Sequence, residues 1–360
     1  MQGKSFLFAV LLSLSGAFLG SGRVLGQTTA YRQTKLVSDV AGRAVNVDPS
    51  LINPWGIGFK PGFPFLLSTN KRGVVKAFDA SGLSERPGFF AIPVPSGTNP
   101  PAAPTGIVYD FTSNFETHDT PAQFMIASEN GIISAWCCVD SDFLQIAIPA
   151  VDNSSHGAVY KGLAILTPAG ANPFLAVTNF HSGEVEPYTN LFDPLAPPGS
   201  FTDPNLPAGY APFGIQVIGS QVFITYALQD RAKRNPVAGP GNGLVDIFDL
   251  EGNFVRRFAS HGVLNAPWGV VKASSNFGTF SNAILIGNFG DGTINAFDAV
   301  TGDFLGTLSH ANGKPIINRS LWGLVFGAGG TGDPNTLYFT AGLSGARHGL
   351  FGAISVMSKR

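Results

Sequence analysis

A short motif built around a glycine recurs six times at nearly constant spacing, and no other feature restricts the fold as strongly. The copies are Pro54-Trp55-Gly56-Ile57, Pro104-Thr105-Gly106-Ile107, Tyr160-Lys161-Gly162-Leu163, Pro212-Phe213-Gly214-Ile215, Pro267-Trp268-Gly269-Val270 and Leu321-Trp322-Gly323-Leu324. Their glycines lie 50, 56, 52, 55 and 54 residues apart. A period of this length along the chain implies units that bury apolar surface against their neighbours.

Each unit repeats one strand grammar. After the glycine comes an alternating run such as Ile57-Gly58-Phe59, then an apolar run at 65–68, 124–127, 174–177, 222–225 or 284–286. A third run ends in an aromatic and a turn, as in Phe78-Asp79-Ala80-Ser81-Gly82, Phe248-Asp249-Leu250-Glu251-Gly252 and Phe297-Asp298 through Gly302. Asp followed shortly by Gly is turn chemistry, because Asp bonds its own backbone and Gly accepts positive φ. A fourth run follows at 89–94, 143–148, 254–258 and 304–308.

Four short strands per unit of about 50 residues describe a propeller blade. The expected fold is all-β, a closed six-bladed β-propeller with four-stranded blades; a sandwich leaves the six-fold period unexplained. Blade six runs out of chain after 350–357, and the run at 32–37 supplies its outer strand, closing the ring through the N-terminal strand. The repeated glycine then permits close approach around the axis.

Composition agrees. Charged residues are 12%, about half the usual share, while the chain has 45 Gly, 26 Pro and 30 Phe. It is too apolar for disorder and too rich in Gly and Pro for a helical bundle. Near-balanced charge, formally −1, gives no net field for nucleic acid.

The chain is expected to divide into a signal peptide at 1–26 and a single propeller domain at 27–360. Lys4 forms a positive n-region, and 6–19 form an apolar stretch too short to span a bilayer. Val24 and Gly26 suit a cleavage site that exposes Gln27. The alternatives are a buried helix or a retained anchor. No other run approaches the length of a membrane span, so the mature chain is expected to be secreted or extracellular, periplasmic in a Gram-negative source. Cys137 and Cys138 are adjacent, either a strained vicinal disulfide or two half-buried residues ending a strand. Asn153-Ser154-Ser155 and Asn318-Arg319-Ser320 are sequons.

The strand grammar resembles NHL-type propellers. More closely, Leu36-Val37-Ser38-Asp39, Asn53-Pro54-Trp55-Gly56, Gly287-Asn288-Phe289-Gly290-Asp291-Gly292, Leu321-Trp322-Gly323-Leu324, Leu337-Tyr338-Phe339-Thr340-Ala341-Gly342 and His348-Gly349-Leu350-Phe351-Gly352 resemble an uncharacterised family of secreted propeller proteins. Some of its members carry a C-terminal PEP-type sorting anchor, whereas this sequence ends Val356-Met357-Ser358-Lys359-Arg360. The resemblance implies fold and secretion, and no chemistry.

Blade geometry sorts loops onto two faces. The face with the lead-in to strand one and the turn between strands two and three, here the top, receives His156, His181, His261, His310 and His348, while His118 falls on the bottom. The same turns bring Asn70, Glu129, Asn130, Asn179, Asn288 and Asp291 towards the central opening. With His181 and His348 they form a candidate site for a divalent cation (Ca, Mg or Zn) or an acid–base pair; the alternative is solvated loops and asparagine turns. No HExxH, DxDxDG, GxSxG or Walker motif is present, nor a dinucleotide fingerprint in which the glycine turn follows a strand and opens a helix. Arg231, Lys233, Arg234 and Arg347, with Lys71 and Arg72, make either a basic rim or a solvated charged loop. Trp55, Trp268 and Trp322 are read as packing between blades, with stacking on sugars the alternative.

Two classes of function follow. The first is a binding module whose top-face loops take a small ligand, a glycan or an extracellular protein. The second is a metal-dependent hydrolase or lyase, of the gluconolactonase or streptogramin-lyase kind, at the mouth of the channel.

Overall fold

Six inner strands surround one axis: Pro54–Gly58, Pro104–Tyr109, Tyr160–Leu166, Tyr210–Ile218, Pro267–Lys272 and Leu321–Phe326. They belong to a computed structural model that describes residues 29–357 apart from 118–119, 140–141 and 144. The expected leader, the mature start at Gln27, and His118 lie outside the described residues. Each inner strand carries the motif glycine, and a Cβ there would press on the next inner strand. Gly56 would meet Thr105 O at 2.6 Å, Gly106 the Leu163 side chain at 2.7 Å, and Gly323 Trp55 O at 2.8 Å. Gly214 and Gly269 would drive into the carbonyls of Trp268 and Trp322. None of the six has positive φ, so the requirement is for space rather than backbone freedom.

Outward from each inner strand the sheet runs antiparallel, giving the six blades expected from the period. Every pairing of strands one and two shifts register at the motif. Such a bulge frees backbone groups that need other partners. In three blades a strand-two threonine supplies one: Gly162 N donates to Thr178 Oγ1 (2.8 Å), Gly214 N to Thr225 Oγ1 (2.8 Å) and Gly323 N to Thr340 Oγ1 (2.9 Å). Thr178 and Thr340 then donate onward to the carbonyls of Phe213 and Trp55 in the following blades.

The ring closes as the sequence predicts. Tyr31–Ser38 lies antiparallel to Leu350–Val356, from Tyr31 opposite Val356 to Ser38 opposite Leu350, and Asn46–Val47 adds a short parallel edge. Blade three departs from the four-strand rule. After Glu184–Tyr188 its fourth strand shrinks to a Tyr188–Pro194 bridge closed by two bonds, from Leu195 N to Pro187 O and from Thr189 N to Asp193 O. Prolines at 187, 194, 197 and 198 remove the donors a full ladder would need. The Asp-Gly turns form as read, with Asp79 Oδ1 accepting from Ser81 N and Leu83 N, both at 2.8 Å.

Large apolar side chains fill the wedges between blades. Phe65, Tyr338 and Phe351 pack where blade six meets blade one. Phe90 stacks on Trp136 with ring centroids 4.2 Å apart where blade one meets blade two. Cys137 is a buried free thiol, which favours packing over a vicinal disulfide. In blade four, fully buried Asp246 pairs with Arg257, which also reaches Asp203. Burial, reinforced by the Asp203 charge and opposed by Arg257, pushes the Asp246 carboxyl from 3.8 to about 7.

Two outcomes follow. Gly214→Ala should destabilise the protein by about 3 kcal/mol and Gly162→Ala, whose nearest contact is Ile215 N at 3.1 Å, by about 1 kcal/mol. Equal urea midpoints for the two variants would contradict the packing argument. Because the folded Asp246 pKa is raised, its contribution to stability is present below about 4 and is lost as pH rises through about 7. Asp246→Asn should therefore gain stability relative to the parent across that window, measured as melting temperature against pH; parallel curves would refute this.

Candidate functional site

The residue before each motif glycine lies on the top side of the ring. Around the six blades these are Trp55, Thr105, Lys161, Phe213, Trp268 and Trp322. The sequence reading set the tryptophans between blades, but they pack on one another across the axis, because equivalent inner-strand positions converge there. Trp55 and Trp322 stack with centroids 3.6 Å apart, and Trp268 stands edge-on to them at 6.1 and 5.9 Å. Phe213 lies 6.0 Å and Phe289 4.4 Å from Trp322. This cluster plugs the channel from above. The Nε1 donors of Trp55 and Trp268 are buried in it without partners among the described residues. Below it, the six glycines ring a bore of about 60 Å³.

Lys161 enters the plug as a cation. Its side chain is fully buried, with Nζ 5.1 Å from the Trp55 ring centroid and 5.5 Å from that of Phe180. Its counter-charge is Glu129, which also accepts from Asn70 Nδ2 at 3.0 Å. Asn70 Oδ1 accepts from Asn53 Nδ2 at 3.2 Å, and Asn53 Oδ1 accepts from Trp322 Nε1 at 3.0 Å. One string of polar contacts thus joins blades three, two, one and six. Burial raises the Glu129 pKa, but Lys161 and Asn70 outweigh it and hold the carboxyl below its ordinary value. Burial lowers the Lys161 pKa, against the pull of Glu129. The loop at 229–243 crosses above: Arg234 donates to Glu129 O at 3.2 Å, and the Gln229 amide donates to Phe180 O.

Of the residues singled out from sequence, Asn70 and Glu129 meet in this string. Asn130 Oδ1 accepts from Ala103 N at 2.7 Å. Asn179 accepts from Val159 N and His181 N and donates to Glu186. Asn288 Nδ2 donates to Val263 O, and Asp291 Oδ1 accepts from Thr293. The histidines are dispersed: His348 Nδ1 lies 2.7 Å from Asp39 Oδ2 in blade six, while His181 sits beside Gly157 at blade three. Among the described residues no group of three or more His, Cys, Asp or Glu converges on a metal position. Arg231, Lys233, Arg234 and Arg347 are exposed, as are Lys71 and Arg72. Sequon Asn318 is 3% exposed, and Asn153 Nδ2 is bonded to the hydroxyls of Tyr160 and Tyr188, so neither amide faces solvent freely.

Lys161 escaped the sequence reading because Tyr160-Lys161-Gly162 passed as one more copy of the motif. The available signal was a charge at a register where four other blades carry Trp or Phe.

No family model matches the sequence. Uncharacterized protein R648 of Acanthamoeba polyphaga mimivirus is 30% identical over 335 residues, covering 91% of this chain and 80% of that protein. Uncharacterized protein L690 of the same virus is 29% identical over 333 residues, covering 90% of this chain and 85% of that one. Among solved structures, a streptogramin B lyase superposes with TM-score 0.53 at 12% identity, covering 91% of this chain and 98% of that one. The apo aldose sugar dehydrogenase of Escherichia coli gives 0.52 at 11% identity, covering 91% and 100%. A calcium-binding regucalcin of Agrobacterium tumefaciens gives 0.51 at 12%, covering 86% and 92%. At these identities the likeness concerns the propeller fold alone.

Breaking the buried pair should cost far more than removing it. Lys161→Met alone leaves Glu129 uncompensated and should cost about 3 kcal/mol, whereas Lys161→Met with Glu129→Leu should recover most of that loss. Denaturant unfolding of both variants checks this, and a double variant no more stable than the single one would contradict it.

Proposed function

The chain belongs to the family of the mimivirus protein R648, and from that premise we propose that it is an exported binding module whose cationic top rim takes an anionic glycan. The observation that carries this reading is the placement of charge. Six exposed cations stand on the turns between strands two and three: Lys71 and Arg72 in blade one, Arg231, Lys233 and Arg234 in blade four, and Arg347 in blade six. Among the described residues none of them forms a salt bridge. Asp79, Asp249 and Asp298 lie in turns between strands three and four, on the opposite face. Asp230 and Glu184 also stand on the top side, and Lys60 and Lys272 on the lower one, so the cationic character is local to three turns of a chain of formal charge −1.

The packed plug supports binding over catalysis, since side chains fill the top of the channel where a hydrolase or lyase site would stand. A metal-dependent enzyme would also need ligands that converge, and the described histidines and carboxylates form no such group.

The test uses the mature chain beginning at Gln27, as export would leave it, with heparin oligosaccharide and neutral dextran as probes. Heparin should bind, weaken steeply with added salt, and lose about tenfold in affinity when Arg231, Lys233 and Arg234 are all changed to Glu, at roughly 0.5 kcal/mol per surface contact. Equal affinity for dextran, or indifference to the triple change, would sink the reading.

A further inference from the structure

The same plug that closes the top leaves the channel open at the other end. There the inner strands finish around a mouth of about 360 Å³, within the usual range for small-molecule sites. Ile57, Ile107, Leu163, Gln216 and Val325 line both this mouth and the glycine bore above it, so the two spaces adjoin. Together they make a funnel, wide below and narrow towards Trp268. Blades one, two, three, four and six build the mouth wall, and blade five does not.

Its chemistry changes with depth. The mouth wall carries aliphatic and aromatic side chains, with Tyr109 the single ionisable residue among the described residues that line it. The bore is ringed by glycines, which leave peptide groups facing the space. At the junction stands Gln216, whose Nε2 donates to Val217 O at 3.2 Å, while its Oε1 accepts no hydrogen bond among the described residues. The rim is held in advance. Buried Asp110 accepts from Thr112 N (2.9 Å), Ser113 N (3.1 Å) and Phe115 N (3.0 Å), fixing the turn on which Phe111 stands 62% exposed at the mouth. A preformed apolar wall loses little on binding.

We propose that this funnel binds one long-chain primary alcohol, with its hydroxyl donating to Gln216 Oε1 at the throat and its alkyl chain lying along the mouth towards Phe111. The uncharged wall selects against an ionic head, since an unpaired charge there would lose its hydration without compensation. The volume excludes a polymer. This site is separate from the cationic rim, and its test does not depend on that reading.

The hydrocarbon dye 1,6-diphenylhexatriene, which has no hydrogen-bonding group, serves as probe, displaced in turn by 1-decanol, decanoate and decyltrimethylammonium. The expected result is saturable dye binding at one per chain, displacement by decanol, and displacement by the two ions at least about tenfold weaker. Phe111→Asp, at an exposed position that does not endanger folding, should weaken both dye and decanol. Gln216→Leu should weaken decanol by about five-fold, the worth of one hydrogen bond, and leave the dye unchanged. The triple rim variant should bind both normally. The proposal falls if the dye does not bind, if it binds at several sites, if the ions compete as well as decanol, or if Phe111→Asp has no effect. Equal losses of dye and decanol in Gln216→Leu would overturn the assigned role of Gln216.

Discussion

Everything in this structure depends on how closely six strands can approach one axis. At the contact, each motif glycine faces the backbone or an inner-strand side chain of the next blade, and a methyl group would overlap it in five blades and crowd it at Gly162. Close approach has two consequences. It bulges the first strand pair of every blade, and it gathers the neighbouring side chains at the centre. Threonines on strand two answer the first by taking the freed glycine N–H groups in three blades and tying two of those blades to the next. The axial plug is the second.

A charge inside that plug is the least expected part of the molecule. An ammonium among Trp55, Phe180 and Phe213 loses its hydration and is stabilised there by ring faces and by Glu129. Geometry makes the pair possible: Glu129 follows strand two of blade two, Lys161 stands on the inner strand of blade three, and the ring sets them side by side. The Arg234 contact to Glu129 O brings the loop at 229–243 over the same point. The aromatic sectors and the polar string from Lys161 to Trp322 are therefore parts of one layer.

Below the glycines the channel has a different character. The top is filled and carries clustered cations in three of its turns, whereas the bottom is hollow and apolar, with both acids such as Asp79 and cations such as Lys60 and Lys272 around its edge. One set of inner strands produces both ends, since successive residues of each strand pass from the plug through the ring to the mouth: Trp55, Gly56, Ile57 in blade one and Phe213, Gly214, Ile215 in blade four.

The sequence by itself determined the six-bladed ring, because a glycine repeated every 50 to 56 residues states both the unit and its count. It also determined the Asp-Gly turns, which are local, and the closing strand Tyr31–Ser38, which follows from a missing fourth strand in blade six. The stunted fourth strand of blade three was not expected, since the strand grammar gave every blade four strands, although prolines at 187, 194, 197 and 198 carried the signal. The site was legible only in part: Asn70 and Glu129 were placed on the correct face, but their partners Lys161, Asn53 and Trp322 were not named with them. Those partners come from three other points of the chain, and sequence spacing carries no information about which side chains meet across an axis. Tertiary structure alone decided that the tryptophans stack on each other, that the histidines stay apart, and that the open end of the channel is the bottom. Each outcome depends on the radius at which six strands can pack, and that distance belongs to the closed ring rather than to any one blade.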